Sequence, residues 1–237
     1  MTILTTTFNC EKFIEKCLYS IMTQSYTDFK CFITDDMSTD NTVKIIEDII
    51  KNDNRFFLIK NDKKRYQPGN YDYVIRDLNL PDNEICIEVD GDDWLPTPNV
   101  FEKISKIYEN ESIWMTSGSF MYNDGRKGFA NPPKIFTNIR NQVFTLSHLR
   151  TWKSWLWKKI DVNDLKDENG NYWNVAGDLS FMFPMLEMSG ESHFKFIPDI
   201  LYIYNESNPL NDHKINLPEV TKIVNKIRGK EIYKNIN

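Results

Sequence analysis

Residues 84–94 read Glu84-Ile85-Cys86-Ile87-Glu88-Val89-Asp90-Gly91-Asp92-Asp93-Trp94, an apolar run followed by three carboxylates within four positions. The run has the length and composition of a short buried strand. Carboxylates this close repel one another and stay ionised together only where a cation or dense hydrogen bonding offsets the repulsion. Hard oxygen ligands at this spacing suit Mg²⁺ or Mn²⁺, which bind through one or two carboxylates and leave other positions to diphosphate oxygens and water. Gly91 lets the chain turn sharply and lets a ligand approach the backbone. Asp-Gly-Asp-Asp alone would also make an ordinary solvated turn. Its position directly after a strand, together with a second acidic motif upstream, favours a site.

Upstream of this stretch, short β-type runs alternate with helix-period runs, the pattern of a parallel sheet flanked by helices. Strands are expected over residues 2–6, 29–34, 56–59 and 84–89. Between the first two, Phe13, Ile14, Cys17, Leu18, Ile21 and Met22 recur at helical spacing, with Asn9 as the expected N-cap. Residues 38–41 are a polar start for a second helix whose buried face is Val43, Ile46, Ile49 and Ile50. A third helix is expected over residues 70–78, ending before Pro81. Right-handed crossovers then open the C-terminal ends of the strands on one rim, where open sheets of this kind bind ligands. The second acidic motif, Thr34-Asp35-Asp36-Met37-Ser38-Thr39-Asp40-Asn41-Thr42, falls on the same rim.

Downstream, a helix over residues 100–108 and a strand over 113–116 are readable, then a Gly-, Pro- and Asn-bearing irregular stretch over 118–141. The Trp-rich segment 149–160 could wall an acceptor site or pack in the core. Arg150 there could hold phosphate or carboxylate. A helix starting at Asp178, two short strands over 194–197 and 201–204, and a terminal helix with Pro218 in its first turn complete the pattern. The formal charge of −5 argues against nucleic acid as the main partner. No run approaches the roughly 20 apolar residues of a membrane span, and the N-terminus lacks the pattern of a secretory signal, so a cytoplasmic protein with at most peripheral membrane contact is expected. Cys10, Cys17, Cys31 and Cys86 form no CxxC pair and are expected to be buried free thiols.

Taken in order, Thr6-Thr7-Phe8-Asn9, the segment 17–29 (Cys17-Leu18-Tyr19-Ser20 through Phe29), Asp35-Asp36-Met37-Ser38 and Asp90-Gly91-Asp92-Asp93 resemble family 2 glycosyltransferases. The resemblance implies a GT-A fold: a Rossmann-like, mostly parallel α/β sheet in which residues 1–98 bind a nucleotide sugar and residues 99–237 form an acceptor-binding half. It implies inverting transfer from a nucleoside diphosphate sugar, by family habit a UDP-sugar, with Mn²⁺ or Mg²⁺ as cofactor. The acceptor would be a glycan, a lipid-linked sugar, a protein or a small molecule.

Residue by residue, Thr6 and Phe8 match positions beside the nucleobase, with Phe8 in place of the usual Tyr, and Asp36 matches an acid that hydrogen-bonds the base. Asp90 matches the first Asp of the family's DxD motif, followed by Gly91; Asp92 matches the metal-binding Asp, and Asp93 is the adjacent acid. Lys64, Arg65 and Asn70 are candidates for a further nucleotide contact. Ala176-Gly177-Asp178-Leu179 resembles the family's acidic motif at a helix start, with Gly177 where Glu is more common, which leaves Asp178 as the expected general base. His213 falls where many GT-A enzymes complete the metal shell. Two rival readings are a nucleotidyltransferase, disfavoured because residues 5–13 contain no glycine for a phosphate loop, and a carbohydrate-binding subunit that has lost turnover.

Overall fold

The computed structural model describes residues 1–210 and 217–236. A seven-stranded sheet runs in the order Phe56–Lys60, Lys30–Asp35, Thr2–Thr7, Ile85–Glu88, Ser147–Lys153, Met115–Tyr122, Phe194–Tyr204. Its first half alternates as expected: β1 (Thr2–Thr7), α1 (Ile14–Met22), β2 (Lys30–Asp35), α2 (Thr42–Ile50), β3 (Phe56–Lys60), α3 (Tyr66–Asp72) and β4 (Ile85–Glu88). Strands β1, β2, β3 and β4 pair in parallel, and the order reverses between β1 and β4. The second half adds α4 (Val100–Tyr108), β5 (Met115–Tyr122), β6 (Ser147–Lys153), α5 (Ser154–Lys158), α6 (Gly177–Ser189), β7 (Phe194–Tyr204) and α7 (Leu217–Arg228). Only β6 runs against the others, wedged between β4 and β5. Helix α1 buries Ile14, Cys17, Leu18 and Ile21 against one face of the sheet, and α6 is buried along nearly its whole length against the other.

Several expectations shift. Asn9 does not cap α1: it sits in the left-handed region (φ 51°), and its Oδ1 accepts from Thr39 N at 2.8 Å, tying the loop after β1 to the loop after β2. Helix α3 starts at Tyr66 rather than Asn70 and runs into a π-helical turn over Tyr73–Asp77. The early start is set from outside the helix, because the Asp36 carboxylate accepts from the backbone N–H of Arg65 (2.8 Å) and Tyr66 (3.0 Å). Residues 118–122 are strand, not loop, because β5 is held between β6 and β7 and Gly118 sits where its pairing with β6 changes register. The two expected C-terminal strands are one edge strand, β7, whose register with β5 shifts where Pro198 interrupts it.

The Trp-rich segment packs in the core. Trp152 and Trp157 are fully buried, their ring centroids 5.7 Å apart, with Trp157 5.0 Å from Phe181. All four cysteines are buried free thiols. Helix α7 carries Pro218 in its first turn and buries Ile227, as its spacing predicts. Among the described residues, no helix is long and apolar enough to cross a membrane.

Candidate active site

The rim beside the strand-order reversal gathers the two acidic motifs. Gly91 N donates to Thr6 O at 3.0 Å, and a Cβ on Gly91 would lie 2.8 Å from Thr7 Cβ, so only glycine allows the loop after β4 to lie this close to the end of β1. The loop after β2 joins them through Asp36 N, which donates to Thr7 O at 2.8 Å. Asp40 starts α2, accepting from the Thr42 backbone N–H at 3.0 Å and the Thr42 hydroxyl at 2.6 Å. The loops bearing Thr6, Phe8, Asp36 and Gly91 therefore lie side by side.

Phe8 is 37% exposed, and the Lys64 ammonium sits 3.0 Å from its ring centroid. Asp36 is buried, and its carboxylate is occupied within the protein by Asn61 Nδ2 (2.8 Å), Arg65 N and Tyr66 N, while Lys64 Nζ donates to its carbonyl at 2.5 Å. Asn70 is fully buried and accepts from Asn61 Nδ2 at 2.7 Å, which places it beneath this network rather than on the open rim. Arg65 stacks its guanidinium on Tyr73, 4.3 Å from the ring centroid.

The acidic stretch after β4 is turned inward. Burial and the repulsion of Glu88 and Asp92 hold the Asp90 carboxyl well above its ordinary range; burial with the repulsion of Asp92 and Asp90 does the same for Asp93, and burial raises Asp92. Asp92 Oδ2 accepts from Asn208 Nδ2 at 2.7 Å, and Asp93 Oδ1 from Asn205 N at 2.7 Å. Asp93 is buried and Asp90 and Asp92 are half-buried; hard carboxylate oxygens of this kind suit a divalent cation, whose charge would relieve the repulsion. Among the described residues, the group whose ligand atoms all lie within 4.8 Å of one another is Glu88, Asp90 and His148, which shares Asp90 with the acidic motif but does not include Asp92 or Asp93. There Glu88 Oε1 already accepts from Arg150 Nη1 (3.0 Å) and Gln67 Nε2 (3.0 Å). Burial and the neighbouring Arg150 push the His148 imidazole well below its ordinary value, so it is neutral, stacked on Tyr202 with centroids 4.4 Å apart. His213 lies outside the described residues.

Asp178 stands in the first turn of α6, preceded by Ala176 in the left-handed region (φ 50°). Its Oδ2 accepts from Arg150 Nη2 at 2.7 Å, while its side chain keeps 27% of its surface exposed. Gly177 has a steric reason to be glycine, since a Cβ there would meet Pro68 Cγ at 2.7 Å. Arg150 thus connects Asp178 to Glu88, and Gln67 connects Glu88 to Asp90, with Nε2 3.2 Å from Asp90 Oδ1.

Sequence reasoning named both ends of this chain and named Arg150 as able to hold a carboxylate, but assigned no role to Gln67 or Glu88. Glu88 was legible as the last residue of β4, two positions before Asp90. Gln67, Tyr202, Asn205 and Asn208 carry no local signal; Asn208 is 116 positions from Asp92 in the chain.

The geometry defines an α/β protein whose two acidic loops meet at the switch point of its sheet, beside a candidate acidic and histidine cluster for a cation. The sequence profile described as Glycosyl transferase family 2 matches residues 2–173, and the chain belongs to this family. The fold is GT-A. Over 129 residues the chain is 25% identical to Glycosyltransferase GlyA of Streptococcus pneumoniae, covering 54% of this chain and 18% of that one. Over 97 residues it is 29% identical to the Campylobacter jejuni GalNAc(5)-diNAcBac-PP-undecaprenol beta-1,3-glucosyltransferase, covering 40% and 30%. The chain thus spans well under half the length of these curated relatives. Among solved structures, Staphylococcus aureus TarS 1–349 in complex with UDP superposes with TM-score 0.67 at 19% identity, covering 96% of this chain and 63% of that one. The Pyrobaculum calidifontis mannosyltransferase PcManGT in complex with GDP-Man and Mn²⁺ superposes with TM-score 0.60 at 16% identity, covering 86% and 56%.

Proposed function

We propose that the chain transfers a sugar, with inversion, from a uridine diphosphate donor to an acceptor hydroxyl, and that it depends on Mn²⁺ or Mg²⁺. The observation that carries this reading is the meeting of the Asp90-Gly91-Asp92-Asp93 loop with the end of β1 at the switch point, with Asp178 reached from Asp90 through Gln67, Glu88 and Arg150. UDP in TarS, and GDP-Man with Mn²⁺ in PcManGT, support the donor class and the metal.

In this reading residues 1–98 hold the donor and residues 99–237 the acceptor. Thr6 and Phe8 flank the base, and Asp36 with Asn70 shape the loop that closes over it. Asp90 and Gly91 face the ribose and sugar. Asp92 and Asp93 would hold the cation, which when bound neutralises charge on the diphosphate. Asp178 takes the proton of the acceptor hydroxyl as its oxygen attacks the anomeric carbon from the face opposite the diphosphate. The new carbon–oxygen bond forms as the bond to the phosphate oxygen breaks, and the diphosphate departs with the electron pair.

The test has two parts. UDP with Mn²⁺ should raise the melting temperature, and UDP should be released from UDP-glucose, UDP-galactose or UDP-N-acetylglucosamine only when the metal is present. The Asp178→Asn variant should retain UDP binding while turnover falls about 10²- to 10⁴-fold, the range typical of a general base. Absence of metal-dependent UDP binding and release refutes the transferase reading, and full turnover in Asp178→Asn removes Asp178 from the chemistry.

A further inference from the structure

Arg150 is 5% exposed on β6, one step past the paired residues Ile87 and Thr151, with strand β4 on one side and the start of α6 on the other. A guanidinium this deep is expensive to desolvate and persists only where its partners are well placed. Glu88 alone would compensate the charge. Yet the second prong of the fork reaches away from Glu88 to Asp178, 28 positions along the chain, at the closest contact either prong makes (2.7 Å). Glu88 Oε1 also shares Gln67 with Asp90. A continuous set of polar contacts therefore runs from Asp90 through Gln67, Glu88 and Arg150 to Asp178.

We propose that Arg150 is a positioning residue that acts through Asp178. It holds that carboxylate in one orientation and ties the orientation, through Glu88 and Gln67, to the donor-facing Asp90. The inference rests on Asp178 being the base. The planar fork is what makes this role specific: two acceptors on different elements are held at a fixed mutual angle, which a single ammonium on a flexible stem does not reproduce. Small displacements of a reacting group are costly, with about 1 Å able to lose 10²-fold in rate. Asp178 lies at a helix start preceded by a left-handed Ala176 and keeps a partly exposed carboxylate, so Arg150 is its restraint on the buried side.

The discriminating variant is Arg150→Lys, which keeps a positive charge beside Glu88 but not the fork. With UDP-glucose, UDP-galactose or UDP-N-acetylglucosamine and Mn²⁺, kcat for UDP release should fall about 10- to 100-fold. KM for the donor and the affinity for UDP should stay within about twofold, and the melting temperature should hold near that of the parent. Arg150→Lys combined with Asp178→Asn should be no slower than Asp178→Asn alone, because the two residues act as one unit. A crystal structure of Arg150→Lys should show the Asp178 carboxylate displaced. Unchanged kcat, multiplying effects in the double variant, an unmoved Asp178, or loss of UDP binding together with kcat would each overturn the positioning role. Full turnover in Asp178→Asn would instead refute the base assignment beneath it, so the two failures read differently.

Discussion

Replacing Asp36 with Asn separates a loop-building carboxylate from a purely ligand-binding one. The carboxylate is buried and accepts three hydrogen bonds, from Asn61 Nδ2 and Arg65 N on Oδ1 and from Tyr66 N on Oδ2. An amide keeps one oxygen, so two bonds lose their charge assistance, and the Tyr66 N–H faces a second donor instead of an acceptor. Bonds to charged groups contribute about 1.5–3 kcal/mol against about 0.5–1.5 for neutral ones, and an unsatisfied buried donor costs about 1–3 kcal/mol. Arg65 and Tyr66 are only half-buried, which keeps the total near the low end, at about 3 kcal/mol. For a chain of this size that lowers the melting temperature by about 6–12 °C. The same change loosens the start of α3 and the loop bearing Lys64, so UDP affinity should weaken with stability. Differential scanning fluorimetry and isothermal titration with UDP and Mn²⁺ measure the two effects. A variant that melts within about 2 °C of the parent refutes the loop-building argument, and loss of UDP binding in that same protein would make Asp36 a direct ligand only.

Two further outcomes follow from other buried groups. Arg140 and Glu187 form a doubly hydrogen-bonded pair, 2.6 and 2.8 Å, both side chains about 5% exposed or less, with Arg140 Nη1 also donating to Ile227 O and Lys230 O near the end of α7. Glu187→Gln should destabilise by about 3–5 kcal/mol because a buried guanidinium loses its charge partner; urea denaturation checks this, and a loss under about 1 kcal/mol would contradict it. Burial pushes the Cys10 and Cys31 thiols up to about 12 and raises Cys17 and Cys86 as well. At pH 8 only about one such thiol in 10⁴ is ionised, and reactivity rises only as pH climbs toward the raised values. Iodoacetamide at pH 8 should therefore label the unfolded chain at all four cysteines and the folded protein at none, as read by intact mass; rapid labelling of the folded protein would show that the thiols are reachable.

The amino-acid order determined the parallel half of the sheet on its own. Hydrophobic periodicity is local, and each of β1 to β4 and their helices fits within one short window. The rim position of Asp36 and Asp90 follows from that order, because crossovers have one hand. What the windows could not contain was decided by tertiary contact. Residues 118–122 became strand because β6 and β7 supplied partners on both sides, and α3 began at Tyr66 because Asp36, some 30 positions earlier, capped it. The Trp-rich segment is core because α6 covers it, although its spacing fits an exposed wall equally well. Likewise the residues that bind Asp92, Asp93 and Asp178 come from distant parts of the chain: Asn208, Asn205 and Arg150. Hydrogen bonds and ion pairs act over about 3 Å in space whatever the separation in sequence, so only the folded sheet brings those partners within range.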